Sequence, residues 1–169
     1  MNQLRRVVIL DSKPLGEICN PINQEKIKPL IKFLKKSKIT RRVAEITDYE
    51  LRRELTLQGL TKGISNLNKF KQRQQIVPID SESLLLATEL WAELRKEGQP
   101  TADKKNIDCD VIMVAQALQL RKQFEQIIIL TIDVKDLIRF QKFGIEVWDW
   151  KQALSDCRYE EINLYNPIL

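Results

Sequence analysis

The chain has 169 residues, 43% of them hydrophobic and 30% charged, and a formal net charge of +5. This is the composition of one globular domain, and it excludes a disordered, collagenous or disulfide-stapled chain. Histidine is absent, which removes imidazole as base, acid or metal ligand, and with it the Ser-His-Asp hydrolases and the common zinc hydrolase sites.

The surplus of positive charge draws polyanions such as nucleic acid through the summed field and counterion release, and it equally serves plain solubility. No apolar run approaches the roughly 20 residues of a membrane-spanning helix. Asp11 also interrupts the N-terminal run Val7 to Leu10 too early for a signal peptide. The reading is a cytoplasmic protein with no membrane partner. Its three cysteines, Cys19, Cys109 and Cys157, are odd in number and widely spaced, as expected of reduced thiols with a packing role alone.

In chain order, β-branched apolar runs of strand length occur at Val7 to Leu10, Val43 to Ile46, Ile76 to Ile79, Ile127 to Ile132 and Ile145 to Val147. Helix-period stripes fall between them: Ile27, Leu30, Ile31 and Leu34; then Leu51 with Leu55; then Leu60, Ile64 and Leu67. Ser81 to Glu97 reads as a helix with Ser81 as its N-cap and Gly98 as its stop. Another helix begins near Asp108 and carries Val111, Val114, Ala115 and Leu118. Alternating strands and helices predict an α/β domain with a mostly parallel sheet. Trp148 and Trp150 read as anchored, and residues 151–169 as an extension that packs on the domain or contributes to a dimer contact.

Ligands of open α/β sheets bind at the carboxyl ends of the strands, and four acids fall there: Asp11, Glu50, Asp110 and Asp133. Each also has a local explanation. Thr47-Asp48-Tyr49-Glu50 forms a capping box, Asp108 caps a helix with Asp110 in its first turn, and Asp133 caps the helix after it. Asp11 is the hardest to explain as a turn residue. Asp110 resists as well, because Met113, Val114 and Ala117 follow on its own helix face. A partly desolvated acid needs a cation or a metal beside it. Mg²⁺ or Mn²⁺ suits such a cluster without histidine, and two such ions could activate water and stabilise the leaving oxygen of a phosphodiester. Lys13, Arg41, Arg42, Arg52, Arg53, Lys104 and Lys105 fall near the proposed strand ends, either guiding a phosphate backbone or forming a solvated face.

Four stretches carry a resemblance: VVILDSKPL with Asp11, VAEITDYELRREL with Glu50, DCDVIMVAQAL with Asp110, and IIILTIDVKDL with Thr131 and Asp133. In order and spacing they resemble the PIN-domain ribonucleases, most closely the VapC-like toxins of bacterial toxin-antitoxin pairs. The resemblance spans Val7 to Trp150. It implies a PIN-like three-layer α/β/α domain over residues 1–150, with a parallel sheet of about five strands. It further implies that Asp11, Glu50, Asp110 and Asp133 bind Mg²⁺ or Mn²⁺ for endonucleolytic cleavage of RNA, supported by the hydroxyls of Ser12 and Thr131. Asp108 and Asp136 are alternates. Such proteins usually form homodimers, and a cognate antitoxin covers the site.

The first motif departs from the family pattern, which continues with threonine and asparagine where Ser12-Lys13-Pro14 stands here. A catalytically degenerate domain that binds RNA or a protein without cutting is therefore the alternative, with Lys13 partly replacing a metal charge. Phosphotransfer on a similar scaffold is disfavoured, because no second aspartate stands two residues after Asp11.

Overall fold

Residues 4–158 are described by the computed structural model. The chain enters through β1 (Arg6–Leu10), turns into α1 (Ser12–Cys19) and α2 (Gln24–Lys36), and returns as β2 (Ile39–Ala44). Next come α3 (Glu45–Leu57), α4 (Thr61–Gln72), β3 (Ile76–Val77) and α5 (Ser81–Lys96). A loop leads to α6 (Cys109–Gln119), β4 (Gln126–Thr131), α7 (Val134–Leu137), β5 (Glu146–Asp149) and α8 (Trp150–Arg158). The five strands form one parallel sheet in the order β3-β2-β1-β4-β5.

Alternation along β1 sends its side chains to both faces of this sheet. Val7 and Ile9 join a core with Leu90 and Leu94 of α5 and Val111 and Val114 of α6. Val8 and Leu10 join a second core with Leu15 of α1, Leu30 and Leu34 of α2, Leu67 of α4 and Leu154 of α8. Both faces are covered, as parallel sheets require, and the result is the three-layer α/β/α arrangement expected from the sequence. Trp148 and Trp150 are buried in the second core, and α8 packs beside α2; the remainder of the proposed extension, 159–169, lies outside the described residues.

The connection reverses direction once. From β1 the chain builds outward through β2 and β3, then crosses back to add β4 and β5 on the other side. Leu10 stands opposite Leu130 in the β1–β4 ladder, so Asp11 and Thr131 emerge side by side where the strand order switches, the place where such sheets open a crevice.

Several boundaries differ from the sequence reading. The second strand runs Ile39–Ala44 rather than Val43 to Ile46, and Ile46 is instead a buried residue of α3. Burial on both sides of a strand-to-helix junction hides the junction in an apolar run. Helix α3 starts at Glu45, so Thr47 is interior and fully buried, and the proposed capping box does not form. Strand β3 has two residues, because Pro78 supplies no N–H to continue the ladder. The cap of α5 is Asp80, not Ser81: its carboxylate accepts from the Ser83 N–H at 2.7 Å while the Ser83 hydroxyl accepts from the Asp80 N–H at 3.0 Å.

Candidate active site

Asp11 leaves β1 with its N–H still donating to the Leu130 carbonyl at 3.1 Å, so the β1–β4 ladder fixes its backbone. One carboxylate oxygen accepts from the Ser12 N–H at 2.7 Å and caps α1. The other accepts from the Thr131 hydroxyl at 2.6 Å, and that hydroxyl accepts from the Asp133 N–H at 2.9 Å. The Ser12 hydroxyl stands at 3.5 Å, a weak contact by ordinary geometry. With 7% exposure, the Asp11 carboxyl is raised above its usual range by burial. The Thr131 and Ser12 hydrogen bonds oppose that rise, and the Asp133 charge adds to it.

Glu50 lies in the second turn of α3 rather than at its start. Helix α1 approaches α3 closely at Gly16, where a Cβ would stand 3.2 Å from Leu51 Cδ1, and this approach sets Glu50 over the Asp11 end of the sheet. Burial raises the Glu50 carboxyl first and the Asp11 charge second, while a hydrogen bond with Cys109 and the Arg53 charge pull it down. The Cys109 thiol is itself pushed up to about 11 by burial and by Glu50, so it stays protonated. Beyond the packing role expected of it, Cys109 lines the same cleft as Glu50.

Asp110 occupies the first turn of α6. Its carboxyl is pushed up to about 7, by burial first and then by the charges of Asp11, Asp108, Glu50 and Asp136. Every charge that moves it is negative. Asp133 is exposed and precedes α7 without a side-chain capping bond, so the capping explanation fails for it. Capping holds for Asp108, which accepts from the Val111 N–H at 3.2 Å and from the Thr101 hydroxyl. Asp136 is held at 3.0 Å by Arg139.

The structure thus couples Asp11, Glu50, Asp110 and Asp133 electrically at one end of the sheet. Among the described residues no three His, Cys, Asp or Glu side chains converge into a ready set of metal ligands. Carboxylate oxygens that burial and like charge hold up in this way suit a hard divalent cation, and Mg²⁺ keeps several waters that bridge to carboxylates that do not converge.

Two clefts meet here. One of about 540 Å³ is lined by Tyr49, Glu50, Arg53, Ile107, Cys109 and Asp110 among others. The second, of about 680 Å³, is lined by Ser12, Lys13, Glu17, Glu50, Arg53 and Gln58 among others. Glu50 and Arg53 belong to both. The proposed phosphate guides sort differently. Lys13 and Arg53 stand beside the acids, whereas Arg52 is committed to Asp48 at 2.8 and 2.9 Å and to Asn68 at 2.9 Å. Arg41 and Arg42 lie inside β2 rather than at a strand end, and Lys104 and Lys105 are exposed in the loop before α6.

One residue behind the acids escaped the sequence reading. Gln116 of α6 is fully buried; its amide donates to the Val77 carbonyl at 2.6 Å and accepts from the Ile46 N–H at 3.3 Å. It ties the end of β3 and the start of α3 to α6, which carries Asp110. The available signal was an amide in the middle of the apolar stretch DCDVIMVAQAL.

Solved structures share this architecture. The chain superposes on a chain of VapBC2 from Rickettsia felis bound to a DNA fragment from their promoter, with TM-score 0.65 and 16% identity over 85% of this chain and 98% of that one. For DNA-bound VapBC from Salmonella typhimurium the values are 0.63 and 17%, over 86% and 98%. The fold is PIN-like. VapBC-1 from nontypeable Haemophilus influenzae agrees with it at TM-score 0.59 and 18% identity, over 86% of this chain and 98% of that one. No protein-family model matches the sequence, and no curated protein does. In this PIN-like fold Asp11 and Asp133 follow the two central strands, β1 and β4, while Glu50 and Asp110 reach them from α3 and α6. Among the described residues no helix is long and apolar enough to cross a membrane.

Proposed function

We propose that this protein is a divalent-metal-dependent endoribonuclease, the VapC-like toxin of a toxin-antitoxin pair, acting in the cytoplasm on RNA and held in check by a cognate antitoxin. The observation that supports this reading is the placement of Glu50 and Asp110 in one cleft at the Asp11 end of the sheet, where burial and the charges of neighbouring acids raise all three carboxyls and Arg53 partly offsets Glu50. Nothing in folding alone rewards such an arrangement, since each charge destabilises the next. The VapBC structures that share the fold support the toxin and antitoxin parts.

Asp11, Glu50, Asp110 and Asp133 would hold Mg²⁺ or Mn²⁺, directly or through water, which supplies the positive charge that acidifies water and stabilises a departing phosphodiester oxygen. The chain's own residues do the rest. Thr131 fixes the Asp11 carboxylate with its hydrogen bond and orients the backbone at Asp133. One of these four carboxylates orients or deprotonates the attacking water. Arg53, open to both clefts beside Glu50, meets the phosphate backbone, and Lys13 does so from the α1 side. The proposed functional form is a homodimer.

Incubation of purified protein with RNA and Mn²⁺ or Mg²⁺ tests the reading. Internal cleavage that EDTA abolishes, and that Asp11→Asn reduces by at least about a hundredfold, is expected. Cleavage that survives both refutes it.

The degenerate reading has one observation in its favour, since among the described residues no three acids converge as they stand. It predicts RNA binding with no metal-dependent cleavage at any Mn²⁺ concentration.

A further inference from the structure

A third cleft, of about 650 Å³, runs between α2 and α4, with Ile18 of α1 at one side. Its walls are basic. Lys28, Lys32 and Lys35 line it from α2, and Lys69 of α4 with Arg73 just past its end line the other side. The α2 lysines follow one helix face at steps of four and three residues, roughly 6 and 4.5 Å along the axis; Lys69 and Arg73 repeat the four-residue step opposite. Glu25 is the one acid among the lining residues, 3.6 Å from Lys28, and Lys69 donates to the Asn66 amide oxygen at 2.7 Å.

Arg41 forms part of this cleft from β2. It is half-buried, and among the described residues its guanidinium makes no ion pair or hydrogen bond. Burial and the neighbouring Arg73 charge both push it below its usual range. A desolvated cation among like charges costs stability unless an anion arrives to neutralise it.

We infer that the α2–α4 cleft seats the phosphodiester backbone of RNA, with Arg41 at its base and the α2 and α4 cations as facing rails. Two facing rows of closely spaced cations match a polyanion with one charge per repeat better than a peptide with scattered acids. The cleft also begins one helix away from the acids: α1 has eight residues and is about 12 Å long, so a strand reaching Asp11 can continue into it. As a seat for a substrate strand, this rests on the ribonuclease reading; as a binding site, it is measured without cleavage.

The test is fluorescence anisotropy of a labelled, mixed-sequence single-stranded RNA in an Asp11→Asn background, between about 50 and 200 mM salt. Reversing the exposed Lys28, Lys32 and Lys69 to glutamate is expected to weaken binding at least about tenfold and to flatten the salt slope by about 2. Reversing Lys96, Lys122 and Lys151, which lie outside the cleft, is expected to act several-fold less. Arg41→Gln moves affinity in the same direction as the cleft triple, with circular dichroism confirming that each variant is folded. Equal losses from both triples, an unchanged slope, or tighter capture of a poly-glutamate peptide than of RNA overturns the proposal. Loss of cleavage in the wild type with intact cleft binding would count against the ribonuclease reading alone.

Discussion

Asp110 carries the clearest physical signature of any single residue. Its carboxyl is raised from 3.8 to about 7, so the folded protein without metal holds a proton there that the unfolded chain releases near pH 4. The linked stability is fully present below that pH, declines as pH rises through about 7, and is then lost. Asp11 and Glu50, also raised, act in the same direction. Metal-free Asp110→Asn is therefore expected to be more stable than the wild type at pH 8, on the order of 2 kcal/mol, and to match it near pH 4. Thermal melts in EDTA across that range check this; an Asn variant less stable at pH 8 contradicts it. Thr131→Val removes the hydroxyl between Asp11 and Asp133, and should lower cleavage more than stability if cleavage is observed.

Helices and strands explain why part of this was legible in the sequence and part was not. The strand-end acids Asp11 and Asp133 could be found because buried parallel strands are continuous apolar runs, and a carboxylate directly after such a run stands out. The position of Glu50 was obscured: Val43, Ala44 and Ile46 are all buried, so periodicity cannot separate the end of β2 from the start of α3. The early part of β2 was missed because Thr40, Arg41 and Arg42 are polar, although the Arg41 stem is covered by the cleft it lines. Gln116 stood out only as an amide in an apolar stretch, and its partners could not be read because Val77 and Ile46 offer backbone groups distant in sequence.

That amide sets the tie between elements. Gln116→Leu leaves a buried carbonyl and a buried N–H unpaired and should cost about 2–4 kcal/mol, read as a lower urea midpoint. A cost below about 0.5 kcal/mol would show that α3 needs no such tie. Gly16→Val forces α1 away from Leu51, with 3.2 Å already tight for a Cβ, and is expected to destabilise by about 1–3 kcal/mol, by the same measurement.

At the scale of the whole molecule, the net charge of +5 is distributed unevenly. Acids gather at the β1–β4 switch point, while cations line the cleft between α2 and α4. The acids repel one another and the cleft cations repel one another, so a ligand of opposite charge would stabilise each cluster. Divalent metal should raise the melting temperature, and more at pH 8 than at pH 5, because protons compete for the same carboxylates.

The most direct test of the account is a calorimetric titration of Mn²⁺ at pH 7, performed in two buffers of different ionisation enthalpy, with the wild type, Asp11→Asn and Asp110→Asn. The account predicts that the wild type binds Mn²⁺ with net proton release, that Asp110→Asn binds more weakly and releases fewer protons, and that Asp11→Asn binds at least about tenfold more weakly. Absence of binding, or equal binding by all three proteins, would contradict it.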